Sequence, residues 1–306
     1  MSVLFSITRR EFLRATLTSS LAFATGDFFF ALPAQGSELK KPDLAVARGS
    51  SPSRITRSAI EALGGMKRFV SPGEVVVVKP NIGWDRTPEY AANTNPQVAA
   101  TVIQMCYEAG AKKVKVFDHT VANPQRCYMQ SGIAEAARAT GGEVIYVNER
   151  KFREVKLPGY ALKSWPLYAE VFEADKVINV PIAKTHGLTK LTLGMKNWMG
   201  IMGGWRGRLH QRINESLVDV SLTIKPALIV LDAIRILTAN GPQGGDLADV
   251  KVLNTVVAGV DQVAVDAYGA TLFGLTGNDI GYIRLGQEAG LGTMDLKKLN
   301  IRHLHV

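Results

Sequence analysis

Two short polar clusters in this sequence combine residue types that could bind and transform an anionic ligand. Lys184 and His186 follow the apolar run 177–182, and Lys196 and Asn197 come shortly afterwards. In open parallel α/β sheets, ligands bind beyond the carboxyl ends of the strands. Two lysines, a histidine and an amide in that place therefore predict a site for an anionic group.

Other apolar runs also end in polar residues. These endings are Lys79 and Asn81 after the run 75–78, Asp118 and His119 after 114–117, and Asp232 after 227–231. On a parallel sheet such endings converge at one edge, so we expect them to share one pocket.

The residue types indicate two kinds of role in this pocket. The catalytic candidates are Lys184, His186 and Asp118, because histidine and carboxylate groups transfer protons and a lysine crowded by like charges has a lowered pKa. The ligand-binding candidates are Lys79, Asn81, Lys196, Asn197 and Asp266.

Asp266 is included because of its position in the predicted helix 262–272. It shares a helix face with Val263 and Ala270, so its carboxylate is expected to be buried and to need a partner. We expect that partner to be a site lysine. Asp261 is predicted to be the N-cap of the same helix.

A metal site is the sharpest alternative for the same pocket. Its ligands would be Asp118, His119, His186 and Asp232. Three lysines in the same pocket would oppose a divalent cation, so we expect an anion and no metal. The two cysteines, Cys106 and Cys127, cannot hold an iron–sulfur cluster, and Cys106 is predicted to be a buried thiol. Any other cofactor stays unknown.

The elements that must position these residues alternate along the chain. Strands are predicted at 44–47, 75–78, 114–117, 144–147, 177–182, 227–231 and 252–258, and helices at 54–63, 96–109, 131–140, 213–224, 262–272 and 279–287. A hairpin turn is predicted at an edge, at 156–161. The alternation predicts an α/β fold with a single, mostly parallel sheet flanked by helices.

The first residues predict export. Residues 8–14 contain Arg9 and Arg10 in a twin-arginine signal, followed by a moderately apolar stretch. We expect residues 1–36 to be a signal peptide read by the twin-arginine export machinery, and 37–306 to form one α/β domain. The protein would then be periplasmic or otherwise exported, and membrane-bound only if the signal stays uncleaved.

The charge of the chain limits its partners. The formal net charge is +9, and residues 1–36 carry three arginines and two acidic residues, so +8 stays with the remainder. A basic protein often binds nucleic acid. Here the lysines are scattered and no aromatic–basic stripe appears, so we expect no nucleic acid and favour an anionic small molecule or an anionic membrane surface.

Several motifs resemble a known family, domain of unknown function 362. They are Lys79-Pro80-Asn81, Lys184-Thr185-His186-Gly187, Lys196-Asn197 before Gly200, Asn240-Gly241-Pro242, and Asp261 to Asp266 before Gly274. The resemblance implies no particular reaction. Some members of that family carry iron–sulfur ferredoxin segments, and this chain lacks their cysteines. Asp118-His119-Thr120 is also similar to a motif in nickel-dependent lactate racemases.

Two functional hypotheses follow from these residues. The first is an exported enzyme of unknown reaction whose basic pocket binds a carboxylate or a phosphate and uses lysine and histidine acid–base chemistry. The second is a non-catalytic binding protein for a metabolite or a metal cofactor.

Overall fold

Runs of β-branched residues form the centre of a large sheet in the computed structural model, which describes residues 41–306. The predicted signal peptide at 1–36 lies outside the described residues. The strands are β1 (Leu44–Arg48), β2 (Val75–Pro80), β3 (Lys113–Val116), β4 (Glu143–Val144), β5 (Phe152–Lys156), β6 (Ser164–Tyr168), β7 (Lys176–Val180), β8 (Ile182–His186), β9 (Lys190–Thr192), β10 (Leu228–Leu237), β11 (Val250–Gly259) and β12 (Ile301–His305).

Ten of these strands form the main sheet, in the order β12-β1-β11-β10-β7-β2-β3-β4, with β8 beside β10 and β9 beside β8. Strand β2 is parallel to both β3 and β7, and β10 is parallel to both β7 and β8. The pairs β3–β4 and β1–β12 are also parallel, whereas β11 and β9 pair antiparallel with their neighbours. The prediction of a mostly parallel sheet is confirmed.

Helices cover both faces of the sheet. They are α1 (Pro52–Ala62), α2 (Pro96–Glu108), α3 (Pro124–Gln130), α4 (Ile133–Ala139), α5 (Glu170–Glu173), α6 (Gly194–Asn197), α7 (Ile213–Thr223), α8 (Gln262–Thr271) and α9 (Gly281–Glu288). Along β2, Val77 packs into one apolar core, and Val76 and Val78 pack into the other. Because side chains alternate along a strand and both faces are covered, residues 75–78 of this strand are all apolar rather than apolar at alternate positions.

Several helices begin at a polar residue followed by proline. Ser51, Asn95 and Asn123 each accept a hydrogen bond from a backbone N–H of the first turn, and a proline comes next in each case. This combination favours a helix start, because the first N–H groups have no partner within the helix. Asp261 caps α8 as predicted.

The structure differs from the predicted elements at three points near the site. Pro181 separates β7 from β8, so Lys184 and His186 lie on a strand and not in the loop expected after residue 182. Strand β10 continues to Leu237, so Asp232 lies inside a strand rather than beyond its end. The predicted helix 131–140 is divided by Gly132, whose φ of 70° is left-handed and ends α3 before α4 begins.

The remaining differences lie away from the site. The predicted strand 144–147 is limited to β4, and the predicted hairpin turn joins β5 and β6 in a separate two-stranded sheet rather than at an edge of the main one. Within residues 41–306, no helix has both the length and the apolarity needed to cross a membrane.

Candidate functional site

A cavity of about 400 Å³ lies at the carboxyl ends of β2 and β3, beside β8 and α6. Its lining comprises Asn81, Gly83, Trp84, Asp118, His119, Val121, Lys184, His186, Leu188, Thr192, Lys196, Asn197, Met199, Gly200, Arg206, Gly207, His210 and Pro242. The volume is within the range of small-molecule sites.

The structure brings most of the predicted site residues together around this cavity. Those that line it are Asn81, Asp118, His119, Lys184, His186, Lys196 and Asn197. Lys79, Asp232 and Asp266 do not line it. The site therefore contains all three catalytic candidates, but only three of the five ligand-binding candidates.

Lys79 and Asp118 form a buried ion pair beneath the cavity. Nζ of Lys79 lies 2.7 Å from Oδ1 of Asp118, and neither side chain is appreciably exposed. The other carboxylate oxygen accepts a hydrogen bond from the backbone N–H of Ile82 at 2.5 Å. Burial lowers the pKa of Lys79, and the charge of Asp118 opposes that shift. Asp118 is thus engaged by Lys79, which limits its use as a free base.

Two amide side chains connect this ion pair to the cavity wall. Oδ1 of Asn197 accepts hydrogen bonds from Nζ of Lys79 and Nδ2 of Asn81, both at 3.0 Å. Its own Nδ2 donates to the backbone oxygen of Lys79 and to Oδ1 of Asn179. Because every polar atom of the Asn197 side chain has a partner, this residue fixes the geometry of the cavity floor.

Lys184 reaches the cavity from β8. Its ammonium donates to the backbone oxygen of Ala92 at 2.5 Å and to Oδ1 of Asn81 at 3.0 Å, which leaves one of its three N–H groups for a ligand. Burial, reinforced by the positive charge of Lys196, lowers the pKa of Lys184 to about 7.

Lys196 lies on α6 and has a much poorer environment for a charge. Among residues 41–306, the contact of its ammonium is with Sδ of Met199 at 2.8 Å, and a thioether is a weak acceptor. The side chain is 7% exposed. Burial, reinforced by the charge of Arg206, lowers the pKa of Lys196 to about 7.

Arg206 is the third cation of the cavity. Its guanidinium donates to the backbone oxygens of His119 at 2.9 Å and Thr120 at 2.7 Å. Within the described part of the chain no carboxylate forms an ion pair with it. Asp118 is the only acidic residue among the described lining residues, and Lys79 neutralises it. The cavity therefore has an excess of positive charge.

The two histidines that line the cavity differ in whether Nε2 carries a proton. Nδ1 of His186 accepts the backbone N–H of Leu188 at 3.1 Å, so its proton is on Nε2, and burial with the charge of Lys196 lowers its pKa to about 3. Nδ1 of His119 lies 2.8 Å from the backbone oxygen of Met202, which can only accept, so the neutral ring keeps a lone pair on Nε2. The first ring can donate a hydrogen bond and the second can accept one.

Asp266 is buried as predicted, but its partners differ from those expected. Oδ1 accepts the backbone N–H of Gly194 at 2.6 Å and Oδ2 that of Met195 at 2.8 Å. These amides open α6, so Asp266 holds the helix that carries Lys196 rather than holding a lysine ammonium. Burial raises the pKa of Asp266 to about 7, against the effect of these two hydrogen bonds.

Asp232, like Asp266, is a buried carboxylate whose hydrogen-bond donors are backbone N–H groups. Its carboxylate accepts the backbone N–H groups of Asn95 at 2.7 Å and Ile234 at 2.9 Å. Burial raises its pKa to about 6. This aspartate therefore secures the start of α2 against β10 and does not join the other predicted metal ligands.

The side chains of the cavity do not fit a metal ion. The described residues contain no group of three or more histidine, cysteine, aspartate or glutamate side chains placed to hold one. Asp118 is paired with Lys79, and Lys184, Lys196 and Arg206 surround the same space. Both cysteines are buried free thiols, and burial raises the pKa of Cys106 to about 12.

Several lining residues are not among the site residues predicted from the sequence. Arg206 and His210 lie on a 3₁₀ helix, Arg206–Arg212, that was not among the elements predicted from the sequence. Thr192 ends β9, and its hydroxyl is buried without a hydrogen-bond partner in the described structure. Trp84 follows β2 in a loop. Two further lining residues, Gly200 and Pro242, belong to motifs visible in the sequence, namely Lys196-Asn197 before Gly200 and Asn240-Gly241-Pro242.

Comparison with known proteins gives one family match. The model of the family described as "Domain of unknown function (DUF362)" matches residues 76–271, which is more than half of the chain. The matched range includes every residue of the cavity that the sequence argument named.

Proteins similar to the chain include a curated relative and two solved structures. The "Thylakoid-associated protein sll1697" of Synechocystis sp. is 30% identical over 218 residues, which cover 69% of this chain and 66% of that protein, or slightly under two thirds of its length. The lactate racemase apoprotein of Thermoanaerobacterium thermosaccharolyticum superposes with a TM-score of 0.50 at 11% identity, covering 76% of this chain and 57% of that one. A Thermotoga maritima protein has a TM-score of 0.43 at 13% identity, with 77% and 59% covered. The racemase likeness supports the α/β fold.

Proposed function

The chain belongs to the family called domain of unknown function 362, and we propose that its cavity binds a small carboxylate or phosphate. The observation that carries the proposal is the presence of three buried or half-buried cations, Lys184, Lys196 and Arg206, without a carboxylate partner among residues 41–306. An uncompensated buried charge is costly, and a bound anion removes that cost. The unpartnered hydroxyl of Thr192 offers a further hydrogen bond to the same ligand.

The proposal includes acid–base chemistry on the bound anion. Because a bound anion keeps Lys196 charged, the proton acceptor in this proposal is Nε2 of the neutral His119 ring, and the carboxylate of Glu149, 3.5 Å away, would stabilise the ring once it is protonated. The Nε2–H of His186 can donate to an oxygen of the substrate, and Arg206 and Lys184 would hold the charged group. Lactate is a suitable first ligand to test, because it is a small carboxylate that stays ionised above pH 5.

Lactate affinity should fall as the pH rises above about 7. A bound carboxylate favours the charged lysines, so binding takes up protons once Lys184 and Lys196 have lost theirs. We expect a loss of about tenfold per pH unit for each lysine involved. Isothermal titration between pH 6 and 9, in buffers of different ionisation enthalpy, measures both the affinity and the protons taken up.

The stability of the ligand-free protein should change in the opposite direction over the same range. Unfolded lysine keeps its proton up to about pH 10.4, whereas Lys184 and Lys196 lose theirs near 7 in the folded state. The unfolded chain thus binds more protons between these values, and the free energy of unfolding rises with pH. A pH-independent lactate affinity would contradict the proposal. Binding without exchange of carbon-bound hydrogen with D₂O would identify a binding protein instead of an enzyme.

Export through the twin-arginine route is a separate part of the proposal, supported by Arg9 and Arg10 within residues 8–14. Replacing both arginines by lysine should leave the precursor in the cytoplasm, because recognition depends on the paired guanidinium groups. Cell fractionation measures this, with Arg302→Lys as a control. Normal export of the double variant would contradict the signal assignment.

A further inference from the structure

The cavity has a second chemical character besides its positive charge. Apolar side chains from five separate segments line it, namely Trp84 after β2, Val121 after β3, Leu188 in the β8–β9 turn, Met199 after α6 and Pro242 between β10 and β11. A site for a small hydrophilic anion alone does not need so much apolar lining. Ligand pockets of this size instead combine apolar walls with a few polar anchors.

The most exposed of these side chains lie at the mouth. Val121 is 62% exposed and Leu188 is 60% exposed. Nearby, Trp205 is 75% exposed and lies next to Gly207 of the cavity wall, since a Cβ added there would be 2.8 Å from the indole nitrogen. Single exposed apolar residues are common on protein surfaces. Several around one cavity indicate a surface that a ligand covers.

Met199 marks the boundary between the two parts of the cavity. Its sulfur contacts the ammonium of Lys196, and its side chain also lines the apolar part. Lys184 and Lys196 are 2% and 7% exposed, whereas Val121 and Leu188 are more than half exposed, so the two lysines lie deeper in the cavity than these apolar side chains. A ligand that matches both parts has a charged head and an apolar body.

We propose that the occupant is an amphiphilic anion, with a carboxylate or phosphate head at Lys184, Lys196 and Arg206 and an apolar chain or ring against Val121 and Leu188. This inference rests on the proposed function and specifies its substrate class. The charge complementarity fixes the orientation, because the reverse placement would bury an apolar group against three cations.

The test is a series of straight-chain carboxylates, from acetate through hexanoate and octanoate to decanoate. Each methylene that enters the cavity should raise the affinity about two- to fourfold, because it leaves water for an apolar wall. The increase should stop when the chain reaches the open mouth. Isothermal titration at pH 6.5, where the lysines are mostly charged, measures each affinity with the wild-type protein.

Two variants and a control locate the effect. Leu188→Ser and Val121→Ser should reduce the gain in affinity from acetate to octanoate severalfold. Leu247→Ser, an exposed leucine elsewhere on the protein, should not alter the gain. An affinity that is equal for acetate and octanoate would overturn this inference and leave the anion site intact, whereas failure of every carboxylate to bind would overturn the proposed function itself.

A membrane surface is the competing source of the same chemistry. Vesicles of phosphatidylglycerol carry anionic heads and apolar chains, so they form a second arm of the experiment, with phosphatidylcholine vesicles for comparison. Sedimentation with phosphatidylglycerol vesicles in the absence of octanoate binding would overturn the inference. Octanoate binding that persists without vesicle binding would support it.

Discussion

Lys196→Met should weaken lactate binding about ten- to hundredfold and at the same time stabilise the ligand-free protein. The loss of affinity follows from removing a charge-assisted hydrogen bond to the anion, which contributes about 1.5–3 kcal/mol. The gain in stability follows because the lysine ammonium is buried against a sulfur atom and has no oxygen acceptor among residues 41–306. Methionine fills similar space without a charge, so we expect the free energy of unfolding to rise by about 1–2 kcal/mol at pH 7. Urea denaturation and isothermal titration measure the two effects.

Lys184→Met is the matched comparison, because this lysine also lines the cavity but already has partners. Its removal leaves the backbone oxygen of Ala92 and Oδ1 of Asn81 without a donor. We therefore expect weaker lactate binding together with lower stability. Lys225→Met, at an exposed position, should change neither. If Lys196→Met were less stable than the wild type and bound lactate equally well, the ammonium would not be the unpaired group on which the site depends.

The sequence predicted the part of the site that is carried by regular strands. Lys79, Asn81 and Asp118 come at the ends of β2 and β3, which are adjacent and parallel, so their positions at one edge followed from the apolar runs alone. The expectation was less accurate for Lys184 and His186. They lie on a strand beyond Pro181, although they still reach the cavity.

Asp232 and Asp266 show what the sequence could not resolve. Both were recognised as carboxylates near apolar residues, but their partners are backbone N–H groups of Asn95, Gly194 and Met195. Every residue except proline has a backbone N–H group, so the residue types do not show which N–H group donates to a given aspartate. The sequence therefore could not distinguish an aspartate that caps a distant helix from one that pairs with a lysine.

The site residues that were not predicted from the sequence were missed for a different reason. Arg206 and Thr192 come from a short 3₁₀ helix and a three-residue strand, which lack the periodicity that identified the longer elements. Strand β12, at the edge of the sheet, was missed because its apolar residues, Ile301 and Leu304, do not alternate with polar ones and its burial is only partial. The regular interior was thus predictable, and the parts placed by tertiary contact were not.

Gly200→Ala should lower the free energy of unfolding by about 3–5 kcal/mol, the range for a buried ion pair that loses its geometry. A Cβ at this position would lie 1.6 Å from Oδ1 of Asp118 and 2.5 Å from Nζ of Lys79. Neither group can move easily, because Asp118 also accepts the N–H of Ile82 and Lys79 also donates to Asn197. The backbone oxygen of Gly200 accepts a hydrogen bond from the N–H of His119 at 2.8 Å. A shift of the Gly200 backbone would therefore also move His119, which lines the cavity. Denaturation in urea, with lactate titration of whatever variant remains folded, measures both consequences.

Gly187→Ala provides the control, since this glycine lies in the β8–β9 turn near the same cavity and an added Cβ there meets nothing within 4 Å. Its stability should stay within about 0.5 kcal/mol of the wild type, because a surface substitution without a clash has little effect. The contrast between the two variants isolates the clash from the general effect of replacing glycine by alanine, which restricts the unfolded chain equally in both. Equal denaturation midpoints for Gly200→Ala and wild type would show that the Lys79–Asp118 pair tolerates displacement. The rigid floor described for the anion site would then be wrong, even if the cations above it still bind lactate.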